Sequence, residues 1–140
     1  VMSYWSGGAK RSYHHTAPVN ALYALHESLR LLASEGLEQS WQRHRDMHQL
    51  LKHGLTELGL KFVVAEQYRL PQLNTVYIPQ GVDDGAVRKQ LLELYNLEIG
   101  AGLGDLAGKA WRIGLMGYGA RREHVALCVK ALSEVLLNQP

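Results

Sequence analysis

A chain of 140 residues, 46% hydrophobic and 20% charged, can bury one real core but holds no run near the roughly 18 consecutive apolar residues of a membrane span. Its net charge of +2, from 15 basic and 13 acidic residues, is scattered rather than gathered into a stripe with interleaved aromatics, which excludes a concentrated nucleic-acid footprint. The single cysteine, Cys128, excludes an internal disulfide and fits a reducing, cytoplasmic compartment.

The opening Val1-Met2-Ser3-Tyr4-Trp5 lacks the basic-then-apolar order of a secretory signal, and a start at valine is expected to follow an earlier segment. Pro18 opens the first predicted helix, because its missing N–H would be unpaired at the first helical position anyway. Leu22, Leu25, Leu29 and Leu32 recur at helical spacing, and Gly36 closes the segment. A second helix is predicted from Leu37 to Leu58, its stripe formed by Leu37, Trp41, His44, His48, Leu51, Leu55 and Leu58.

Short β-type runs follow at Leu60 to Val64 and at Asn74 to Pro79. Asp83 then caps a helix with Val87, Leu91 and Leu94 on one side. Leu97 to Ile99 reads as a strand leading into a glycine-rich loop, Gly100 to Gly108, and Ala110 to Leu115 as another. Arg121 to Leu137 is the last predicted helix, with Val125, Cys128, Val129, Leu132 and Leu136 in register. Strands arrive in adjacent pairs rather than alternating with helices. This predicts an α+β fold, a small and mostly antiparallel sheet with helices on one face.

Gly102-Leu103-Gly104-Asp105-Leu106-Ala107 matches G-x-G-x-x-A, yet a dinucleotide fingerprint needs a helix next, and here a strand follows. His44 and His48 have zinc-type i, i+4 spacing, but Arg45 stands where H-E-x-x-H requires glutamate, so both are expected to pack. Cys128 falls on an apolar helix face and reads as a small buried hydrophobe.

Two groups carry more chemistry. Tyr13-His14-His15-Thr16 stands before a helix start, where free N–H groups and the positive dipole end favour an anion. The two hydroxyls suit a phosphate cup, and plain helix capping by Thr16 suits the same residues; both readings stay open here. Arg112 sits inside the apolar run Trp111-Arg112-Ile113-Gly114-Leu115. Its planar fork fits a carboxylate, while an arginine on the solvent face of an edge strand is the plainer alternative.

Tyr13-His14-His15-Thr16-Ala17-Pro18-Val19, Leu22-Tyr23-Ala24-Leu25-His26-Glu27-Ser28-Leu29, Gly36-Leu37-Glu38, Arg69-Leu70-Pro71, Leu97-Glu98-Ile99, Gly102-Leu103-Gly104 and Trp111-Arg112-Ile113-Gly114-Leu115-Met116-Gly117 together resemble one family. In that order they are similar to class V pyridoxal-phosphate (PLP) aminotransferases, the alanine–glyoxylate and serine–pyruvate aminotransferases above all. The resemblance covers nearly the whole chain.

It implies the C-terminal domain of an aspartate-aminotransferase-like fold, with residues 1–35 ending the large domain and residues 36–140 forming the small one. It implies PLP as cofactor and a homodimer in which Tyr13 and Thr16 bind the cofactor phosphate across the interface. Arg112 would hold the substrate α-carboxylate. The implied reaction moves an amino group between a small amino acid, alanine or serine, and a 2-oxo acid, glyoxylate or pyruvate. The family's Schiff-base lysine is expected upstream of this chain. Lys10, in Gly8-Ala9-Lys10-Arg11, does not resemble its segment, so the chain alone is expected to be inactive. No catalytic residue, metal, nucleic acid or membrane is expected. The rival readings are a non-catalytic binding or dimerisation domain and, among enzymes, another class V PLP enzyme. A desulfurase needs a loop cysteine, and Cys128 lies in a helix.

Overall fold

The computed structural model describes residues 15–138. The chain divides into two compact units, Val1–Leu37 and Glu38–Pro140. The first holds helix α1, Val19–Glu35. Pro18 is its N-cap, with ψ 70°, so the proline lies one position outside the helix rather than at its first residue. Gly36 ends it at φ 90°, a conformation that glycine adopts without a Cβ clash, and its N–H bonds the Leu32 carbonyl at 2.9 Å. No residue of α1 is buried, and Leu22, Leu25 and Leu29 are exposed.

Helix α2, Leu37–Glu57, begins at the division between the units. Its buried line is Ser40, His44, His48, Leu51, Gly54 and Leu55. The expected stripe is therefore displaced at its start: Leu37 and Trp41 are exposed, the latter by 52%. The cause lies in what this end of α2 meets. It lies against the turn Gly117–Gly119 and Ala120, whose backbone groups need polar partners. Arg43 Nη1 donates to the carbonyls of Gly117 (2.8 Å) and Ala120 (3.0 Å), and the Gly117 N–H donates to His44 Nε2 (3.1 Å). His44 Nδ1–H bonds the Ser40 carbonyl at 2.6 Å. Both ring nitrogens of His44 thus serve the packing of α2 onto that turn.

The run expected at Leu60 to Val64 contributes a single bridge, Phe62 with Val76, made by the Val63 N–H bond to the Thr75 carbonyl and the Tyr77 N–H bond to the Lys61 carbonyl. Strand β1 is Leu73–Tyr77. Helix α3, Asp84–Tyr95, is capped by Asp83, whose Oδ1 accepts from the Ala86 N–H at 2.6 Å. Val87 and Leu91 are buried, but Leu94 is 67% exposed, and the half-buried Tyr95 takes its place one step of four after Leu91. Strand β2 is Gly100–Ala101, later than the expected Leu97 to Ile99. Strand β3 is Ala110–Gly114, and helix α4 is Arg122–Leu137.

The sheet runs β1-β3-β2, antiparallel throughout. One face carries Val76, Trp111 and Ile113 and packs with Leu51 and Leu55 of α2, Val87 and Leu91 of α3, and Val125, Cys128, Leu132 and Val135 of α4. The α+β reading, with helices on one side of the sheet, describes this unit. Trp111 is wholly buried, and its indole N–H donates to Asp84 Oδ1 at 2.9 Å, tying α3 to the central strand. Arg88 grips the same carboxylate and holds its pKa below the usual aspartate value.

Candidate functional site

Alternation along β3 decides what faces where. Trp111 and Ile113 point into the core, so Arg112 between them must point to the opposite face. That face also carries Leu73, Thr75, Tyr77 and Gly114, which are exposed or half-buried. β3 is the central strand, so Arg112 stands mid-sheet and not on an edge.

Its two neighbours differ. The Leu115 N–H bond to Gln72 and the Ile78 N–H bond to Lys109 set the β1–β3 ladder. With Thr75 opposite Arg112, that pair falls in a non-hydrogen-bonded position, where side chains stand closest. On the other side Gly100 faces Arg112, and the Gly102 N–H bond to the Ala110 carbonyl makes Gly100 and Arg112 a hydrogen-bonded pair. Arg112 is half-buried, and its Nε donates to the Ala101 carbonyl at 2.7 Å. Among the described residues Nη1 and Nη2 have no acceptor and no carboxylate partner. A guanidinium held by Nε, with its terminal nitrogens free, is set to grip a planar anion with two parallel bonds.

The glycine loop belongs to the fold of this site. A Cβ on Gly102 would lie 1.9 Å from the Leu106 carbonyl oxygen, so the turn closes only around a glycine. Gly104–Leu106 forms one short 3-10 turn, and the chain then enters β3. No helix follows to hold a pyrophosphate.

Of the expected cofactor residues, Tyr13 lies outside the described residues. Thr16 lies within them, exposed, two positions before the N-cap of α1. That N-cap makes no side-chain bond to the first turn, and the turn holds no acidic residue. A helix start carries partial positive charge and favours an anion. Thr16 and Arg112 belong to different units. His48 is committed to the core through Asn74, and burial pushes the Cys128 thiol up to about 12. Sequence reasoning missed Gly100 and the Ala101 carbonyl, because a backbone acceptor leaves no trace in residue type. It also missed the pairing of His48 with Asn74.

The alanine–glyoxylate aminotransferase of Nostoc sp. superposes on 96% of this chain and 35% of its own with a TM-score of 0.86 and 52% identity. The fold is that of PLP aminotransferases of the aspartate-aminotransferase-like kind. No protein-family model matches the chain. In sequence it is 46% identical to the alanine–glyoxylate aminotransferase of Callithrix jacchus over 134 residues, which is 95% of this chain and 32% of that protein. It is 42% identical to the (S)-ureidoglycine–glyoxylate transaminase of Bacillus subtilis (strain 168), over 96% of this chain and 32% of that protein. The chain is a homologue of class V aminotransferases and spans about a third of the length of these curated relatives.

Proposed function

We propose that this chain is the C-terminal part of a PLP-dependent aminotransferase, supplying the substrate-carboxylate anchor and part of the cofactor-phosphate cup. Residues 1–35 would end the large domain and residues 36–140 form the small one. The reaction exchanges an amino group between a small amino acid, alanine or serine, and a 2-oxo acid, glyoxylate or pyruvate. Glyoxylate is the acceptor named for both curated relatives, which favours it here.

The observation that carries the reading is Arg112: anchored through Nε, open at Nη1 and Nη2, on the exposed face of the sheet. Two parallel N–H···O bonds to an α-carboxylate fix the Cα–H bond of the amino acid in one direction. Tyr13 and Thr16 would hold the phosphate near the positive end of α1, and would do so for the partner subunit of a homodimer. The bound cofactor supplies the electron sink for removing the α-proton. Its attachment lysine lies upstream of this chain in the proposal.

The test uses the complete enzyme. Arg112→Ala should raise the KM of alanine by about a hundredfold, the worth of a charge-assisted bidentate pair, while PLP binding changes less than about twofold. Equal loss of donor and cofactor would make Arg112 structural. Comparing alanine, serine and (S)-ureidoglycine as donors then ranks the substrates, and no turnover with any of them would overturn the assignment.

A further inference from the structure

We propose that Gly100 is a positioning residue for the Arg112 guanidinium, and that its missing side chain sets where the substrate carboxylate is held. The inference rests on reading Arg112 as the carboxylate anchor.

β2 is an edge strand of the sheet. Gly100 and Arg112 exchange backbone hydrogen bonds, so the next residue, Ala101, falls in the alternate position opposite Trp111. In that position the N–H and C=O point away from the partner strand. The Ala101 carbonyl therefore faces the outer side of β2, where no further strand accepts it into the sheet. Arg112 starts from β3, on the inner side, and yet its Nε bonds that carbonyl at 2.7 Å. The arginine must lie across β2, and it crosses at residue 100.

The space confirms the path. Cross-strand partners project from the same face. A Cβ built on Gly100 would lie 3.3 Å from Arg112 Nη2 and 3.5 Å from both Cβ and Cζ of that arginine, and these are its nearest neighbours. The backbone gives no other reason for a glycine. Gly100 is absent from the positive-φ glycines of this chain, so any residue could adopt its conformation. The group that crowds this point is the arginine lying over it. A methyl group is at the limit of tolerance, and a β-branched side chain would lift the guanidinium off the Ala101 carbonyl and redirect Nη1 and Nη2.

The test compares Gly100→Ala and Gly100→Val in the complete enzyme, each with and without Arg112→Ala. Valine favours strands, so a loss cannot be ascribed to weaker β-propensity. The donor KM should rise about threefold for Gly100→Ala and about tenfold or more for Gly100→Val, with the PLP absorbance band and cofactor affinity unchanged. In the Arg112→Ala background, either substitution should change KM by less than about twofold, because the group it displaces is gone. That non-additivity separates positioning from a general structural role. An unchanged KM in both Gly100 variants, alongside a raised KM for Arg112→Ala, would overturn this inference and leave the anchor standing. Full additivity would overturn it as well. If Arg112→Ala leaves KM unchanged, the anchor reading fails and this inference falls with it. Should the valine variant lose its PLP band, the alanine series decides by the same criteria.

Discussion

His48 of α2 and Asn74 of β1 meet at 2.6 Å in the core, Nδ1 to Oδ1. Asn74 Nδ2 faces the carbonyls of Pro71 (3.3 Å) and Ile113 (3.4 Å), so its amide group is fixed with Oδ1 toward the ring. Nδ1 of His48 must then carry the proton. One buried amide thus joins α2, β1 and the strand that holds Arg112.

Removing that amide strands the imidazole N–H. Asn74→Ala should cost about 2–3 kcal/mol, because a buried donor loses its acceptor and two carbonyls lose a donor. Denaturant unfolding should show a lower midpoint with an unchanged slope. A double-mutant cycle with His48→Ala should return a coupling of about 1 kcal/mol or more. Additive losses would mean the two side chains act independently.

Gly54 sits mid-helix in α2, where alanine would gain about 1 kcal/mol of helix propensity. Yet a Cβ there would lie 2.6 and 2.8 Å from the two γ-methyls of Val129 on α4. Valine in a helix has one strongly preferred rotamer and cannot swing aside. Overpacking of about 1–3 kcal/mol should win, so Gly54→Ala is expected to lower Tm. Adding Val129→Ala should recover much of the loss. A higher Tm for the single variant would show that the helices part freely.

These residues also mark what the sequence could disclose. Among the described residues helical spacing located each α-helix, because apolar side chains must recur where a helix meets a core. It misplaced the start of the α2 stripe, since Arg43 and His44 serve a backbone turn that hydropathy does not register. It put β2 at Leu97 to Ile99 because Leu97 and Ile99 are apolar and flank Glu98. Leu97 instead follows the end of α3, its N–H bonding the Leu91 carbonyl, and the pairing falls on Gly100 and Ala101. Arg112 was legible as a charge among bulky residues. The carbonyl that aims it was not, since every residue has one.

Cys128 offers a pH signature. Burial raises its thiol from 9.0 to about 12, since the charged thiolate is costly among apolar neighbours. The folded state therefore holds this proton more tightly than the unfolded chain. The associated stability is complete below about pH 9 and is lost between there and pH 12. The difference in stability between the parent and Cys128→Ala should shrink across that window. Thiol reagents at pH 8 should label Cys128 only after unfolding, and rapid labelling of the native protein would contradict this.

The isolated 140-residue chain should form no specific, borohydride-reducible adduct with added PLP. Lys52, Lys89 and Lys130 are engaged with Glu66, Glu93 and Glu134 in ion pairs. Peptide mapping after reduction checks this. A stoichiometric adduct on Lys10 would reassign that residue.

Because Trp111, Arg112 and Ile113 are consecutive on one strand, a shift of β3 by a single residue would turn the guanidinium into the core and the indole out of it. Core packing and the outward placement of Arg112 therefore depend on the same alignment. A misaligned chain loses its core together with the placement of its arginine.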